Sequence, residues 1–191
     1  MIEPIQQDLK TIFAGDPRRL KHIHGVFETA MALAKHYGAD GHACAVAALL
    51  HDITKNAPHA WQLEQLKAHG DEVLAQRYTA PFYHGFTAAY VAQETYHIDN
   101  EDILNAIRYH TVGRPAMSLC EKIIFVADYC EPHRPHATAK TVHALAFNDL
   151  DEAVYAALSF ATDYHQSQGD LVPEVALETL AHYKGVLDEK T

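Results

Sequence analysis

The chain has few cysteines and no long apolar run, and each lack excludes a class of protein. Of its 191 residues only three are cysteines, Cys44, Cys120 and Cys130, and no two of them form a CxxC pair. This spacing argues against a disulfide framework or a thiolate zinc site and favours reduced cysteines, two of them packed in the core. Apolar runs such as AVAALL are too short to span a bilayer, and the first residues lack the apolar segment of a signal peptide. We therefore expect a cytoplasmic protein that makes no membrane contact.

Positive charge is also scarce, whereas histidine is abundant. Lys and Arg number 15 against 25 Asp and Glu, which gives a formal net charge of −10. Because a protein that holds nucleic acid normally carries a basic face, this balance predicts no nucleic-acid partner. A small phosphorylated ligand fits the balance, because a bound divalent metal supplies a local positive field. The 15 histidines are candidate metal ligands and proton carriers near neutral pH.

Apolar residues recur at helical spacing through nearly the whole chain, without the alternation typical of β-strands. Caps, glycines and prolines divide the pattern into predicted helices. These helices lie at about 4–14, 17–37, 41–54, 59–69, 71–78, 84–97, 100–110, 117–131, 138–147, 149–167 and 172–186. The length suits one domain over residues 1–191. We expect an all-α fold with a core at about 17–135, completed by C-terminal helices at 138–187.

The dipeptide His51-Asp52, within ALLHDITK, ends the most apolar predicted helix. A buried imidazole and a buried carboxylate are both costly unless they are paired, hydrogen-bonded or bound to a metal. The two oxygens of the Asp52 carboxylate could bind one ion or bridge two. Taken alone, the dipeptide is better explained by a hydrogen-bonded pair at a helix end than by a metal site.

Four further residues extend this dipeptide into a pattern with one element per helix. His22 lies in mid-helix, His84 begins a helix, His110 ends one, and Asp128 lies in the apolar run KIIFVADYCEP. Each has an ordinary explanation alone, such as a surface position, a helix terminus or an ion pair. Together, imidazoles and carboxylates form the ligand set of iron, manganese or zinc sites with open coordination positions. The pattern therefore indicates a metal site that could clamp phosphoryl oxygens.

Five segments carry a resemblance to a known family: RLKHIHGV at 19–26, HDITK at 51–55, HG at 84–85, HTVG at 110–113 and ADYCEPHR at 127–134. Their order resembles the HD-domain phosphohydrolase superfamily and, more narrowly, the YqeK family of bacterial symmetrical dinucleoside tetraphosphatases, over about residues 17–175. The chain departs from the family pattern at Val112, where Thr is usual, and at Cys130, where an aliphatic residue is usual. Since neither residue is a ligand, we expect altered packing of the pocket and retained chemistry.

The resemblance implies an HD-domain helical bundle that acts as a homodimer and splits diadenosine tetraphosphate, or a related dinucleoside polyphosphate, into nucleoside diphosphates such as ADP or GDP. It implies one metal, expected to be iron with manganese, cobalt or zinc as alternatives, on His22, His51, Asp52 and Asp128. His84 and His110 would complete a second metal site or contact phosphate oxygens.

The resemblance also implies residues for catalysis and for substrate binding. The catalytic residues would be Asp52, Lys55, His84 and His110. The substrate contacts would come from Arg19, Lys55, His84, His110, Thr111, Asp128 and Arg134. A surface ion pair with Glu131 would explain Arg134 equally well. The segment 171–176 is expected to close over the nucleoside.

Several other functions stay open from the sequence. Another HD-type enzyme, a nucleotidase or a deoxynucleotide triphosphohydrolase, would use the same ligands, whereas a cyclic-dinucleotide phosphodiesterase usually shows a Gly-Tyr-Pro signature that this chain lacks. A di-iron oxygenase uses a similar helical scaffold, but Lys55 and Arg134 favour a phosphorylated substrate. A non-catalytic nucleotide-binding metal module is disfavoured because the set of candidate ligands is complete.

Overall fold

The computed structural model describes residues 1–190 and contains eleven α-helices, one 3-10 turn and no strand within that range. The helices are α1 Ile2–Ile12, α2 Pro17–Tyr37, α3 Gly41–Leu50, α4 His59–Ala68, α5 Leu74–Arg77, α6 Tyr83–Tyr96, α7 Glu101–Arg108, α8 Leu119–Cys130, α9 Ala137–Ala146, α10 Leu150–Gln168 and α11 Glu174–Asp188. The predicted all-α fold is confirmed. Residue 191, the last of the predicted domain, lies outside the described residues.

Local signals at helix ends set the start and stop of the helices that carry the site. The Asp16 carboxylate accepts a hydrogen bond from the Arg19 amide (3.0 Å) and caps α2, whose first residue is Pro17. Gly38 ends α2 in the left-handed conformation, with φ 68°. At α8, Ser118 and Glu121 form a reciprocal capping box.

The third helix ends earlier than the predicted 41–54. It stops at Leu50, and the chain continues in a tight turn in which the Lys55 amide donates to the Asp52 carbonyl (2.8 Å). The Thr54 hydroxyl donates to the His84 carbonyl (2.9 Å) and ties this turn to α6. Backbone hydrogen bonds over three residues, from Ile53 to Leu50 and from Lys55 to Asp52, replace the helical pattern here, so His51 and Asp52 lie in a turn.

The core surrounds α3, which packs against α1, α2, α6, α7 and α8. All residues of α3 from Ala43 to Leu50 are buried, as its nearly continuous apolar sequence predicts. The last helices cover the other side of α8, since α9 and α10 pack on α8 and α11 packs on α10. All three cysteines are free and buried, where two were expected in the core. Among residues 1–190, no helix combines the length and the apolar character needed to cross a membrane.

A close approach of α6 to α7 depends on Gly85, which follows His84. A Cβ atom at this position would lie 2.6 Å from the Arg108 carbonyl oxygen and 3.3 Å from that of Ile107. Since both oxygen atoms belong to the backbone, the two helices would have to separate to accommodate the Cβ atom. This steric cost opposes the higher helix propensity of alanine relative to glycine.

We predict that Gly85→Ala lowers stability by about 1–2 kcal/mol, which corresponds to a fall in Tm of about 2–8 °C. The control is Gly185→Ala in α11, where a Cβ atom would meet nothing within 4 Å. That substitution should leave Tm unchanged or raise it slightly, because alanine restricts the unfolded chain. Thermal denaturation followed by circular dichroism would measure both, and an equal Tm for the two variants would contradict the packing argument.

Candidate metal centre

The structure brings together the six histidine and aspartate side chains that the sequence singled out. They come from five places: His22 from α2, His51 and Asp52 from the turn after α3, His84 from α6, His110 from the turn after α7, and Asp128 from α8. The four histidines and Asp52 are buried, with Asp52 only 2% exposed. Burial of so many polar groups in one place needs strong mutual compensation.

Asp52 is shared between two groups of potential ligand atoms. Its Oδ2 lies 3.5 Å from His51 Nε2 and 3.6 Å from His22 Nε2. Its Oδ1 lies 3.2 Å from His84 Nε2 and 3.7 Å from His110 Nε2. In each group the three ligand atoms lie within 4.8 Å of one another, close enough to share one metal ion.

Asp128 joins the group that contains His22. Its Oδ1 lies 3.0 Å from His22 Nε2 and 3.9 Å from His51 Nε2. The four residues predicted to hold one metal therefore converge, and the two histidines of uncertain role form a second group on the opposite oxygen of Asp52.

Backbone carbonyls fix the orientation of three of the imidazoles. Nδ1 of His51 donates to the Ala48 carbonyl (2.7 Å), and Nδ1 of His110 donates to that of Ile107 (2.7 Å). Nδ1 of His84 donates likewise to the Pro81 carbonyl (2.8 Å). Since a carbonyl only accepts, each Nδ1 carries the proton, and in the neutral ring the Nε2 lone pair points into the cluster.

This arrangement fits a divalent metal. The Nε2 atoms of His84 and His110 lie 3.0 Å apart, and those of His22 and His51 lie 3.4 Å apart. Unprotonated nitrogens at these distances repel one another and the carboxylate of Asp52, and a cation between them turns this repulsion into coordination. Imidazole and carboxylate donors suit iron, manganese, cobalt and zinc.

The titration behaviour of His84, His110 and Asp52 also favours the forms that bind metal. Burial lowers the pKa of His84 to about 4 and also lowers the pKa of His110. Burial raises the pKa of Asp52, but interactions with His51, His110 and His84 outweigh it and hold that pKa well below its usual value. Burial lowers the pKa of His51, but the charge of Asp52 outweighs burial, and the net shift of the His51 pKa is upward. Neutral imidazoles and ionised carboxylates are the forms that bind metal.

Three cationic side chains contact the cluster. The Arg19 guanidinium donates to Asp52 Oδ2, and Lys55 Nζ lies 3.2 Å from His84 Nε2. Arg134 donates from Nη2 to Asp128 Oδ1 (2.6 Å) and from Nε to the Asp128 carbonyl (2.8 Å). The hydrogen bonds of the Arg134 side chain therefore go to Asp128, and the alternative of a surface ion pair with Glu131 is wrong.

Two cavities adjoin the cluster and share Arg134. The first, which we call the basic cavity, has a volume of about 540 Å³ and is lined by Asp16, Arg18, Arg19, Lys21, His22, Glu131, His133, Arg134 and Pro135. The second, the apolar cavity, has a volume of about 710 Å³ and is lined by Asp128, Tyr129, Arg134, His136, Ala137, Thr138, Phe160, Ala161, Asp163, Tyr164 and His165. Both volumes lie in the range of ligand sites.

Thr111 and the segment 171–176 lie beside the apolar cavity. Thr111 lines a small cavity of about 40 Å³ together with Val172, Pro173 and Ala176, and its buried hydroxyl has no hydrogen-bond partner among the described residues. This small cavity shares Ala161 and His165 with the apolar cavity. Thr111 and the segment 171–176, which the resemblance predicts to contact the nucleotide, therefore lie next to the apolar cavity.

The HD domain family profile matches residues 19–133, a range that holds all six residues of the cluster. The chain belongs to the HD domain family. The symmetrical bis(5'-nucleosyl)-tetraphosphatase of Halalkalibacterium halodurans is 42% identical over 149 residues, which cover 73% of this chain and 75% of that protein. The protein of the same name from Bacillus subtilis is 38% identical over 136 residues, 71% of this chain and 73% of the relative.

A known crystal structure of an HD superfamily protein has the same fold as this chain. The structure, from Clostridium acetobutylicum, is of a predicted HD superfamily hydrolase involved in NAD metabolism. It superposes with a TM-score of 0.89 and 31% identity, over 97% of each chain. The resemblance to YqeK-type proteins that the motifs carry is confirmed.

Glu131 is a residue of this HD domain whose role the sequence reasoning missed. Its buried Oε1 lies 3.2 Å from Nδ1 of His22, so it does for His22 what carbonyls do for the other imidazoles. Gly25 makes room for it, because a Cβ atom there would collide with Glu131 Oε2. The signal in the sequence is the Glu-Pro pair that begins three residues after Asp128, although the sequence alone suggests Arg134 as the partner of Glu131.

We predict that Glu131→Gln weakens metal binding by about tenfold, because a carboxylate that accepts from an imidazole ligand orients the ring and raises its basicity. Competition for Mn²⁺ or Co²⁺ against a chelator would measure the affinity, with Glu28→Gln on the exposed face of α2 as the control. Equal affinities for the two variants would contradict a role for Glu131 in orienting His22.

Proposed function

We propose that this chain is a metal-dependent hydrolase that splits dinucleoside tetraphosphates, such as diadenosine tetraphosphate, symmetrically into two nucleoside diphosphates. The observation that carries the proposal is a cluster of four imidazoles and two carboxylates, all buried except the partly buried Asp128, with Arg19, Lys55 and Arg134 directly on it. Metal ligands next to cations suit a polyphosphate. The names of the two relatives supply the substrate class and the symmetry of cleavage.

In this proposal His22, His51, Asp52 and Asp128 hold a divalent metal, with iron expected and manganese, cobalt or zinc as alternatives. A metal bound there would supply Lewis acidity toward a phosphoryl oxygen and would activate water at neutral pH. His84 and His110 form a second group with the other oxygen of Asp52, which supports a second-metal role over a direct contact with phosphate. Asp52 is the residue that both groups need.

The substrate contacts follow from the cations and cavities around the cluster. Arg19, Lys55 and Arg134 would bind phosphate oxygens and stabilise the charge that accumulates on them during transfer. Asp128 would position Arg134, to which it is hydrogen-bonded. The apolar cavity is the natural place for a nucleoside, with Thr111 and the segment 171–176 beside it.

We further propose that residues 1–191 form one HD domain, with a metal-site core at 17–135 and a C-terminal helical part at 138–187 that supplies part of the apolar cavity. A cytoplasmic homodimer that binds no nucleic acid and no membrane is the expected state. The formal net charge of −10 supports the lack of a nucleic-acid partner.

The test is analysis of the products from diadenosine tetraphosphate with protein loaded with Fe²⁺ or Mn²⁺. We expect ADP alone, and in H₂¹⁸O one of the two ADP molecules should carry one ¹⁸O atom. Asp52→Asn should lower kcat by on the order of 10³-fold, because both ligand groups lose an anionic oxygen. Asp99→Asn, at an exposed position outside the cluster, should keep the full rate.

Other outcomes would contradict the proposal. Release of AMP with ATP would mean asymmetric cleavage. Turnover of mononucleotides or of deoxynucleoside triphosphates alone would mean another HD-type activity. Binding of nucleotide without hydrolysis under Fe²⁺, Mn²⁺, Co²⁺ or Zn²⁺ would mean a non-catalytic module.

A further inference from the structure

We infer that the basic cavity is the subsite for the departing half of the substrate, a nucleoside diphosphate, and that Arg18 and Lys21 bind its phosphates. The inference rests on the proposed function and names a site in this chain to which no role has been given above. Its basis is the position, charge and size of the cavity.

The position of the basic cavity suits the departing half of the substrate. The basic cavity reaches the cluster at His22, whereas the apolar cavity reaches it at Asp128, and Arg134 lines both. Symmetrical cleavage breaks the bond in the middle of a tetraphosphate, so one nucleoside diphosphate half must extend on each side of the central bridging oxygen. With one half in the apolar cavity, the chain of phosphates passes Arg134 and the other half enters the basic cavity.

The charge of the basic cavity suits the phosphates of a nucleoside diphosphate. Four cations, Arg18, Arg19, Lys21 and Arg134, line the basic cavity of a chain whose formal net charge is −10. The two carboxylates in the lining are already engaged. Asp16 caps α2 and accepts from Asn56 (2.9 Å), and Glu131 contacts His22.

Arg18 and Lys21 themselves are available for a ligand. Both are exposed, and no salt bridge involves either of them among the described residues. They stand three residues apart in α2 and therefore share a face of the helix, which also carries the ligand His22. Two cations beside a metal ligand fit the phosphates of a departing nucleoside diphosphate.

The reaction itself is balanced with this assignment. Water adds its oxygen to the phosphorus of the half in the apolar cavity, and the bond from that phosphorus to the central bridging oxygen breaks. The bridging oxygen keeps the electron pair and leaves as part of the second nucleoside diphosphate. The protons of the water molecule are released to solvent. Arg18 and Lys21 bind the phosphates that the leaving half already carries in the intact substrate, and they keep this contact through the reaction.

The test compares diadenosine tetraphosphate with ADP in a double variant, Arg18→Glu with Lys21→Glu. Arg18 and Lys21 would contact the phosphates equally in the bound substrate and in the transition state. For the double variant we therefore expect KM for diadenosine tetraphosphate to rise about tenfold or more while kcat stays within about twofold. The Kd of the first ADP bound by the Mn²⁺-loaded protein should stay within about twofold, since that ADP occupies the apolar cavity.

A matched control separates a local contact from net charge. Lys10→Glu with Lys35→Glu changes the charge by the same amount at exposed positions, and Lys35 lies about 21 Å along α2 from Lys21. An equal rise of KM in this control, an unchanged KM in the first variant, or a parallel rise of KM and ADP Kd would each overturn the inference. If the unmodified protein splits no dinucleoside tetraphosphate, the proposed function itself fails, and the inference with it.

Discussion

The structure depends on one buried carboxylate, that of Asp52, which faces two imidazoles on each of its oxygens. His22 and His51 approach Oδ2, and His84 and His110 approach Oδ1. A buried anion among unprotonated nitrogens is stable only with nearby positive charge. In this protein Arg19 lies directly on the carboxylate, and the geometry of the ligands suits divalent cations.

The helical fold serves this constraint by delivering each ligand from a different element. Carbonyls of Ala48, Pro81 and Ile107 hold three imidazoles, and the Glu131 carboxylate holds His22. These hydrogen bonds, which come from several separate segments, compensate for the burial of the imidazoles. The cavities on either side of Arg134 then give the cluster access to a long, polyanionic substrate, which links the metal site to the proposed hydrolysis of a dinucleoside tetraphosphate.

Much of this could be predicted from the sequence, because periodicity and caps are local signals. The helix at 17–37 and the convergence of His22, His51, Asp52 and Asp128 agree with the structure. The early end of α3 was not predicted, and the Thr54 hydroxyl ties the turn that follows it to α6 by a contact that no local pattern signals. The same holds for the contact of Glu131 with His22 and for both cavities, since these arise only when distant segments pack together.

The most direct test of the central claim is elemental analysis of anaerobically purified protein, followed by X-ray absorption spectroscopy at the edge of the metal found. The account predicts one or two metal ions per chain, with nitrogen and oxygen ligands at about 2.0–2.2 Å and the scattering pattern of imidazole rings. Protein that holds no metal after exposure to iron, manganese, cobalt and zinc in turn, or a metal without imidazole ligands, would contradict it.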